Sequence, residues 1–202
     1  MNSGWCLSVF HNRSPSVMKT LYKSTVRSHL EYSCPLWSGL SMSDAMALEA
    51  VQRKFTSRIY FNSTHQPNYW ERLKILNLMS LQRRRERYII LHMWKLLNNK
   101  TSNDLGVSFH FNDRLGFRAK VPKLYGTNQK ARSLYHSSFA TKGPLLWNVL
   151  PKELNCSTTF STFKINLDKM LKSVPDLPPV PGYSTSNHNS LLDWSSCRSF
   201  LW

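Results

Sequence analysis

Apolar positions recur at helical spacing along much of the chain, in stretches separated by proline, glycine and polar breaks. After Ser14-Pro15, a pair suited to a helix N-cap and first turn, Met18, Leu21, Tyr22, Val26 and Leu30 fall on one face. The spacing predicts an amphipathic helix to about Trp37, ended or turned at Pro35. Lys19, Lys23 and Arg27 recur every four residues on another face, which sets three positive charges in a row about 6 Å apart. Ser43-Asp44 opens a second predicted helix, with Leu48, Val51, Gln52, Phe55 and Ile59 as its buried stripe and Arg53, Lys54 and Arg58 pointing elsewhere.

A polar break containing Pro67 precedes a short helix from Tyr69 to Leu76, and Ser80 then caps a long one from Leu81 to Asn98. The long helix begins LQRRRER and ends YIILHMWKLLNN, so its C-terminal half must be buried. Successive helical residues point about 100° apart, so Arg83, Arg84, Arg85 and Arg87 cannot all face one way. Some of them must serve intramolecular pairs, and Glu86 is the acidic residue adjacent in sequence.

From Asn99 to about Leu134 the pattern weakens, with Gly106, Gly116, Pro122 and Gly126 as breakers, which reads as a long loop. Eight basic and no acidic residues lie between Arg114 and Lys152; such a segment suits either the line of a phosphate backbone or a solvated linker. Two further helices are predicted, Ser138 to about Leu150 and Thr158 to about Val174, the latter with Phe160, Phe163, Leu167, Met170 and Leu171 as its stripe. PDLPPVPGYSTSN then runs extended, with a short helical or irregular piece at Leu191 to Trp194. The expected architecture is mainly α: a helical domain over 1–100, a basic loop over 101–134, a C-terminal helical segment over 135–174 and an extended Pro-rich tail over 175–202.

Charge changes this picture more than composition does. With 41% hydrophobic residues the chain can build a core, while 27 Lys and Arg against 11 Asp and Glu give a formal charge of +16. That surface attracts polyanions, nucleic acid first among them. The excess is +10 over residues 1–100, +7 over 101–174 and −1 beyond, so the basic footprint belongs to the first 174 residues. Cys6, Cys34, Cys156 and Cys197 are too scattered for a zinc or iron-sulfur site and read as free thiols, Cys34 as core packing. No leader-like apolar run and no stretch near the roughly 18 apolar residues of a membrane span is present. The expectation is an intracellular protein of cytoplasm or nucleus, in which the sequons at Asn12 and Asn62 are chance matches.

Motifs for catalysis are missing. Two-metal chemistry needs converging carboxylates, but the nearest acidic pair in sequence is Asp44 and Glu49. The seven histidines show neither HExxH nor HxxxH spacing, and no Walker loop, GxGxxG turn or GxSxG elbow occurs. The residues read as those of a binder, with no cofactor and no metal.

The segments LYKSTVRSHLEYSCPLWS, ALEAVQRKFTSRI, YWERLKILNLMSLQRRRERYIILHMWKLLN, GPLLWNVLPKEL and FKINLDKML, in this order, resemble the region downstream of the catalytic palm in reverse transcriptases of LINE-type, jockey-like non-LTR retrotransposons. The resemblance spans about Asn2 to Trp194 and extends to NSLLDW near the end. It implies a thumb, a helical bundle gripping template and primer duplex behind the site of synthesis. The family's magnesium-binding aromatic-x-Asp-Asp motif and its endonuclease lie before this region, and neither is found here. The expected function is therefore that of a non-catalytic fragment of an RNA-directed DNA polymerase. It would hold RNA–DNA hybrid or other nucleic acid without sequence preference, through Lys19, Lys23 and Arg27, then Arg53, Lys54 and Arg58, then Arg83, Arg84 and Arg87. The start at Met1 just upstream of the thumb favours a truncated element. The alternatives are a stretch of a longer active endonuclease and reverse transcriptase whose palm lies elsewhere, and an unrelated basic adaptor for an acidic protein. Without its palm, Trp5 and Phe10 are candidates for orphaned contacts.

Overall fold

A computed structural model of the chain describes residues 14–35, 39–61, 65–101, 109–112, 123–126, 139–155, 159–181 and 189–193. Trp5, Phe10, Cys6, Cys156, Cys197, Asn12, Asn62 and most of the basic segment between Arg114 and Lys152 lie outside them. The described architecture is mainly helical: α1 (Pro15–Leu21), a π-helical turn (Tyr22–Val26), α2 (Arg27–Glu31), α3 (Met42–Ile59), α4 (Tyr69–Ile75), α5 (Leu81–Leu97), β1 (Phe109–Asn112), β2 (Lys123–Gly126), α6 (Phe139–Val149), α7 (Lys152–Asn155) and α8 (Phe160–Ser173). No helix among the described residues is long and apolar enough to cross a membrane. Two compact units emerge, one drawn from Met1–Tyr32, Ser41–Arg84 and Asp176–Asn189, the other from Ser33–Leu40, Arg85–Pro175 and Ser190–Trp202. The first turn of α5 belongs to the first unit and the remainder to the second.

Local sequence explains the helix ends. Pro15 occupies the first position of α1, where its missing N–H costs nothing. Ser41, two residues before the expected Ser43-Asp44 start, caps α3 by accepting from the Asp44 N–H at 3.1 Å, and Asp44 accepts the Ser41 hydroxyl at 2.7 Å. Asn68 and Glu71 form a full capping box on α4. Asn77 and Asn99 take left-handed backbone (φ 47° and 50°) after α4 and α5, where Asn tolerates what most side chains do not. The first helix stops at Glu31 instead of reaching about Trp37, because Tyr32 turns extended and Ser33 enters the left-handed region at φ 51°.

The core of the first unit is Met18, Tyr22, Phe55, Tyr69, Leu73, Leu76 and Leu78. Tyr22 and Phe55 meet at 5.2 Å between ring centroids, which fixes the first helix on α3. A polar network runs through this core. The Tyr22 hydroxyl donates to Gln52 Oε1 at 2.5 Å, Gln52 Nε2 donates to the Tyr69 hydroxyl at 3.0 Å and to the Met79 carbonyl at 3.2 Å, and Tyr69 donates to Glu49 Oε1 at 2.5 Å. The other Glu49 oxygen accepts the Leu81 N–H at 3.0 Å, at the start of α5. The buried face of α3 is thus Glu49, Gln52, Phe55 and Thr56, rotated from the expected stripe, with Leu48, Val51 and Ile59 only half-buried.

The described part of the Pro-rich tail, residues 175–181, carries no helix or strand and is docked. Asp176 accepts the Ser80 N–H and hydroxyl, each at 2.7 Å, while the Ser80 hydroxyl oxygen caps α5 by accepting from the Arg83 N–H at 3.1 Å. Asn189 closes the arrangement on Asp176 at 2.6 Å and on the Leu177 N–H at 2.8 Å. Trp70 Nε1 donates to the Pro178 carbonyl at 3.0 Å, and Val180 packs on the core cluster.

In the second unit, Trp94 of α5 stacks on Phe163 of α8 at 5.8 Å, and Trp147 of α6 meets Phe163 at the same distance. A Cβ added to Gly143 would lie 2.7 Å from the Met93 sulfur, so the glycine permits a close approach between α6 and α5. Strands β1 and β2 pair antiparallel from Phe109↔Gly126 to Asn112↔Lys123, inside the stretch read as a loop. Leu124 is held by Asn148, whose side-chain amide accepts its N–H at 2.9 Å and donates to its carbonyl at 3.0 Å, as a neighbouring strand would. Cys34 is buried, as expected of core packing.

Removing Glu49 leaves the Tyr69 hydroxyl and the Leu81 N–H buried without their acceptor. We expect Glu49→Ala to lower stability by about 2–6 kcal/mol, from two buried groups at about 1–3 kcal/mol each, read as a shift of the urea midpoint, against about 1 kcal/mol for Glu71→Ala at the exposed capping box. Equal losses from the two variants would contradict the network's importance. Burial first, then the Glu49 charge, raises the proton affinities of Tyr22 and Tyr69 above the ordinary tyrosine range. A folded-state pKa raised above the unfolded value gives stability that is complete below about pH 10 and falls as pH rises beyond it, by about 1.4 kcal/mol per pH unit for each tyrosine. Urea midpoints at pH 9, 10 and 11 check this: Tyr69→Phe is expected to flatten the alkaline decline, and a decline identical to wild type would refute the assignment.

Candidate nucleic-acid interface

Of the nine cations expected at an interface, the structure gathers one group and disperses the others. Lys19, Lys23 and Arg27 lie on the first helix beside the buried face formed by Met18 and Tyr22. In a regular α-helix residues four apart drift by about 40° around the axis. The wider π turn over Tyr22–Val26 reduces that drift between Lys23 and Arg27. The Thr25 hydroxyl, donating to the Leu21 carbonyl at 2.6 Å, supplies a local reason for the irregular winding.

The cluster is electrostatically crowded. Burial holds the Lys23 ammonium below the ordinary lysine range, and the like charges of Lys19, Arg27 and Arg84 push it further down. Arg27 meets Glu31 at 3.7 Å, and Arg84 pairs with the same carboxylate through both Nε and Nη2, the latter at 2.8 Å. One carboxylate thus serves two guanidinium groups. Among the described residues, neither Lys19 nor Lys23 has a carboxylate within salt-bridge distance. An oxyanion placed here would relieve the repulsion, which makes the group a candidate anion contact.

The second trio divides. Lys54 and Arg58 are exposed on α3, about 40° apart around the helix, while Arg53 lies close enough to Arg72 for its charge to lower the Arg72 proton affinity, after the larger effect of burial. Arg72 donates to the Pro67 carbonyl at 2.7 Å and to the Thr56 hydroxyl oxygen at 3.3 Å, and it lies over the Tyr69 ring at 5.6 Å. Sequence reasoning passed over Arg72 because the short α4 shows no basic face; its proximity to Arg53 comes from the packing of α4 on α3.

The third trio is held inside the fold. Arg83 is 1% exposed and donates to the Asn189 carbonyl at 3.3 Å. Arg84 is bound to Glu31, and Arg87 to Asp168 at 2.9 Å through Nη2. The partners lie 53 and 81 residues away in sequence, which is why Glu86 was the one candidate visible locally. Glu86 itself accepts the Ser190 hydroxyl at 2.6 Å and the Leu191 N–H at 3.1 Å. A surface role leaves these three arginines out, and the candidate interface is reduced to Lys19, Lys23, Arg27, Lys54 and Arg58, with Arg53 beside Arg72.

Among the described residues no group of three or more His, Cys, Asp and Glu side chains converges to hold a metal ion. The chemistry on view is charge recognition. Set against protein-family models, curated proteins and solved structures, the chain gives no match in any of the three comparisons.

Proposed function

We propose that this chain is a nucleic-acid-binding helical module, the thumb of a LINE-type reverse transcriptase without its palm, and that it holds template–primer duplex through phosphates without itself catalysing synthesis. The observation that carries the reading is the row of Lys19, Lys23 and Arg27, in which Lys23 is repelled by its neighbours and the two lysines have no carboxylate partner among the described residues. The order of motifs resembling the family's post-palm region supports it, as does the net charge of +16. Contacts of this kind read backbone shape and charge, so RNA–DNA hybrid and other duplexes are held with little regard to sequence. Such a partner places the protein inside the cell, in cytoplasm or nucleus. Where the chain forms part of a longer polymerase, catalysis belongs to the palm and this module supplies grip.

The test is binding of an RNA–DNA hybrid across a salt series, wild type beside Lys19→Ala/Lys23→Ala. Arg27 is left in place because it shares Glu31 with Arg84, so its removal would disturb the helix as well as the surface. Each phosphate contact contributes about 0.9 to the slope of log affinity against log salt, so the double variant is expected to lose about 2 from that slope. An unchanged slope, or no binding by folded wild type at low salt, overturns the proposal. Tighter binding to an acidic protein than to the hybrid would move the function to that class of partner.

A further inference from the structure

A second cationic feature lies in the second unit, between α5 and α8. Here Tyr88, Leu91, His92 and Lys95 of α5 face Phe160 and Lys164 of α8 across a cleft of about 310 Å³, with Pro35 and Arg87 completing its lining. That is the low end of small-ligand clefts, roughly the room for one nucleotide-sized group. Among the described residues no carboxylate lines it. Arg87 is neutralised by Asp168 at 2.9 Å, whereas Lys95 lies over the Phe160 ring at 5.0 Å, a contact that positions the ammonium without cancelling its charge. Lys164 is exposed, and among the described residues neither lysine has a salt-bridge partner.

We propose that this cleft binds single-stranded nucleic acid, with Lys95 and Lys164 taking a phosphate and the wall of Pro35, Tyr88 and Leu91 receiving the adjoining base. The combination decides the class of ligand. A duplex offers phosphates and sugars but keeps its base faces stacked, so an apolar floor beside two ammonium groups goes unused. A single strand presents both together, and base contact with aromatic and apolar side chains beside a cationic track is how such strands are held without sequence preference. His92 agrees with this reading: burial, then the Lys95 charge, holds it below the ordinary histidine range. The neutral imidazole can both donate and accept, which suits the polar edge of a base better than another phosphate. The cleft shares no residue with the Lys19, Lys23 and Arg27 row, and its proposal does not rest on that row.

The experiment measures anisotropy of a labelled short oligodeoxythymidine with the full chain over a salt series. Lys95→Gln/Lys164→Gln keeps most of each aliphatic stem and removes two charges. We expect about tenfold weaker binding at low salt and a salt slope lower by about 0.7, the value for one single-strand phosphate contact. A matched pair, Lys169→Gln/Lys172→Gln, removes the same charge from exposed positions of α8 that do not line the cleft and is expected to change binding less than about threefold. Lys19→Ala/Lys23→Ala is expected to leave the oligodeoxythymidine affinity within about twofold while weakening the hybrid, so failure of one proposal is distinguishable from failure of the other. The cleft proposal is overturned if the Lys95/Lys164 variant, folded by circular dichroism, binds oligodeoxythymidine as wild type does. It is equally overturned if the matched pair loses as much, which would mean diffuse attraction, or if the cleft variant loses hybrid binding alone.

Discussion

The Glu49 carboxylate is 3% exposed and receives the Tyr69 hydroxyl, Gln52 and the first N–H of α5. Burying a carboxylate is tolerable when its lone pairs are used and a helix N-terminus faces it; here both conditions are met by groups from three separate helices. The same start of α5 is held from another side by Asp176 on Ser80. Two acids thus hold the helix origin that lies upstream of Arg84, and Arg84 in turn binds Glu31 at the end of α2. The position of the Lys19, Lys23 and Arg27 row therefore descends from a buried charge on α3, through two helices and one bidentate pair. The row proposed to meet anions is thus positioned by anions in the interior.

Much of this was legible in the sequence, and the misses have physical causes. The apolar face of the first helix was readable because Met18 and Tyr22 repeat at the helical period and both are fully buried. Its end was not, since the left-handed turn at Ser33 depends on where the following chain must go and a serine does not announce it. On α3 Gln52 is buried as expected, but the polar residues Glu49 and Thr56 are buried too, while Leu48 and Val51 are only half-buried. A hydrophobicity pattern cannot find them, because what makes them suited to the interior is that they satisfy one another. The hairpin of β1 and β2 escaped notice for a related reason: four-residue strands carry little period, and the bidentate tie from Asn148 to Leu124 is made by a residue 24 positions away.

Candidate site residues were legible as cations and illegible as to employment. A basic run such as Gln82-Arg83-Arg84-Arg85 advertises a nucleic-acid surface, yet Arg83, Arg84 and Arg87 spend their donors on Asn189, Glu31 and Asp168. The chemistry of the two cation types accounts for the division. A guanidinium presents a planar fork that matches a carboxylate with two parallel bonds, and the Arg84 and Arg87 pairs use both. Once so held, the group is part of the fold. An ammonium is a compact hydrated point charge with rotating donors. It fits a backbone whose phosphates arrive in no fixed register, and among the described residues Lys19, Lys23, Lys95 and Lys164 are four of the cations without a carboxylate in salt-bridge distance.

It follows that the formal charge of +16 overstates what a polyanion meets, and in a particular way. Bidentate pairing removes arginines from the surface count together with the carboxylates that hold them, so the total is unchanged while the exposed charge becomes richer in lysine and poorer in acid. Lysine-dominated surfaces attract at long range and through phosphates, and they lack the rigid forks by which arginine reads a guanine edge. Among the described residues Arg84 and Arg87, whose planar forks would suit a base edge, are used by the fold itself, which agrees with the proposed tolerance of sequence.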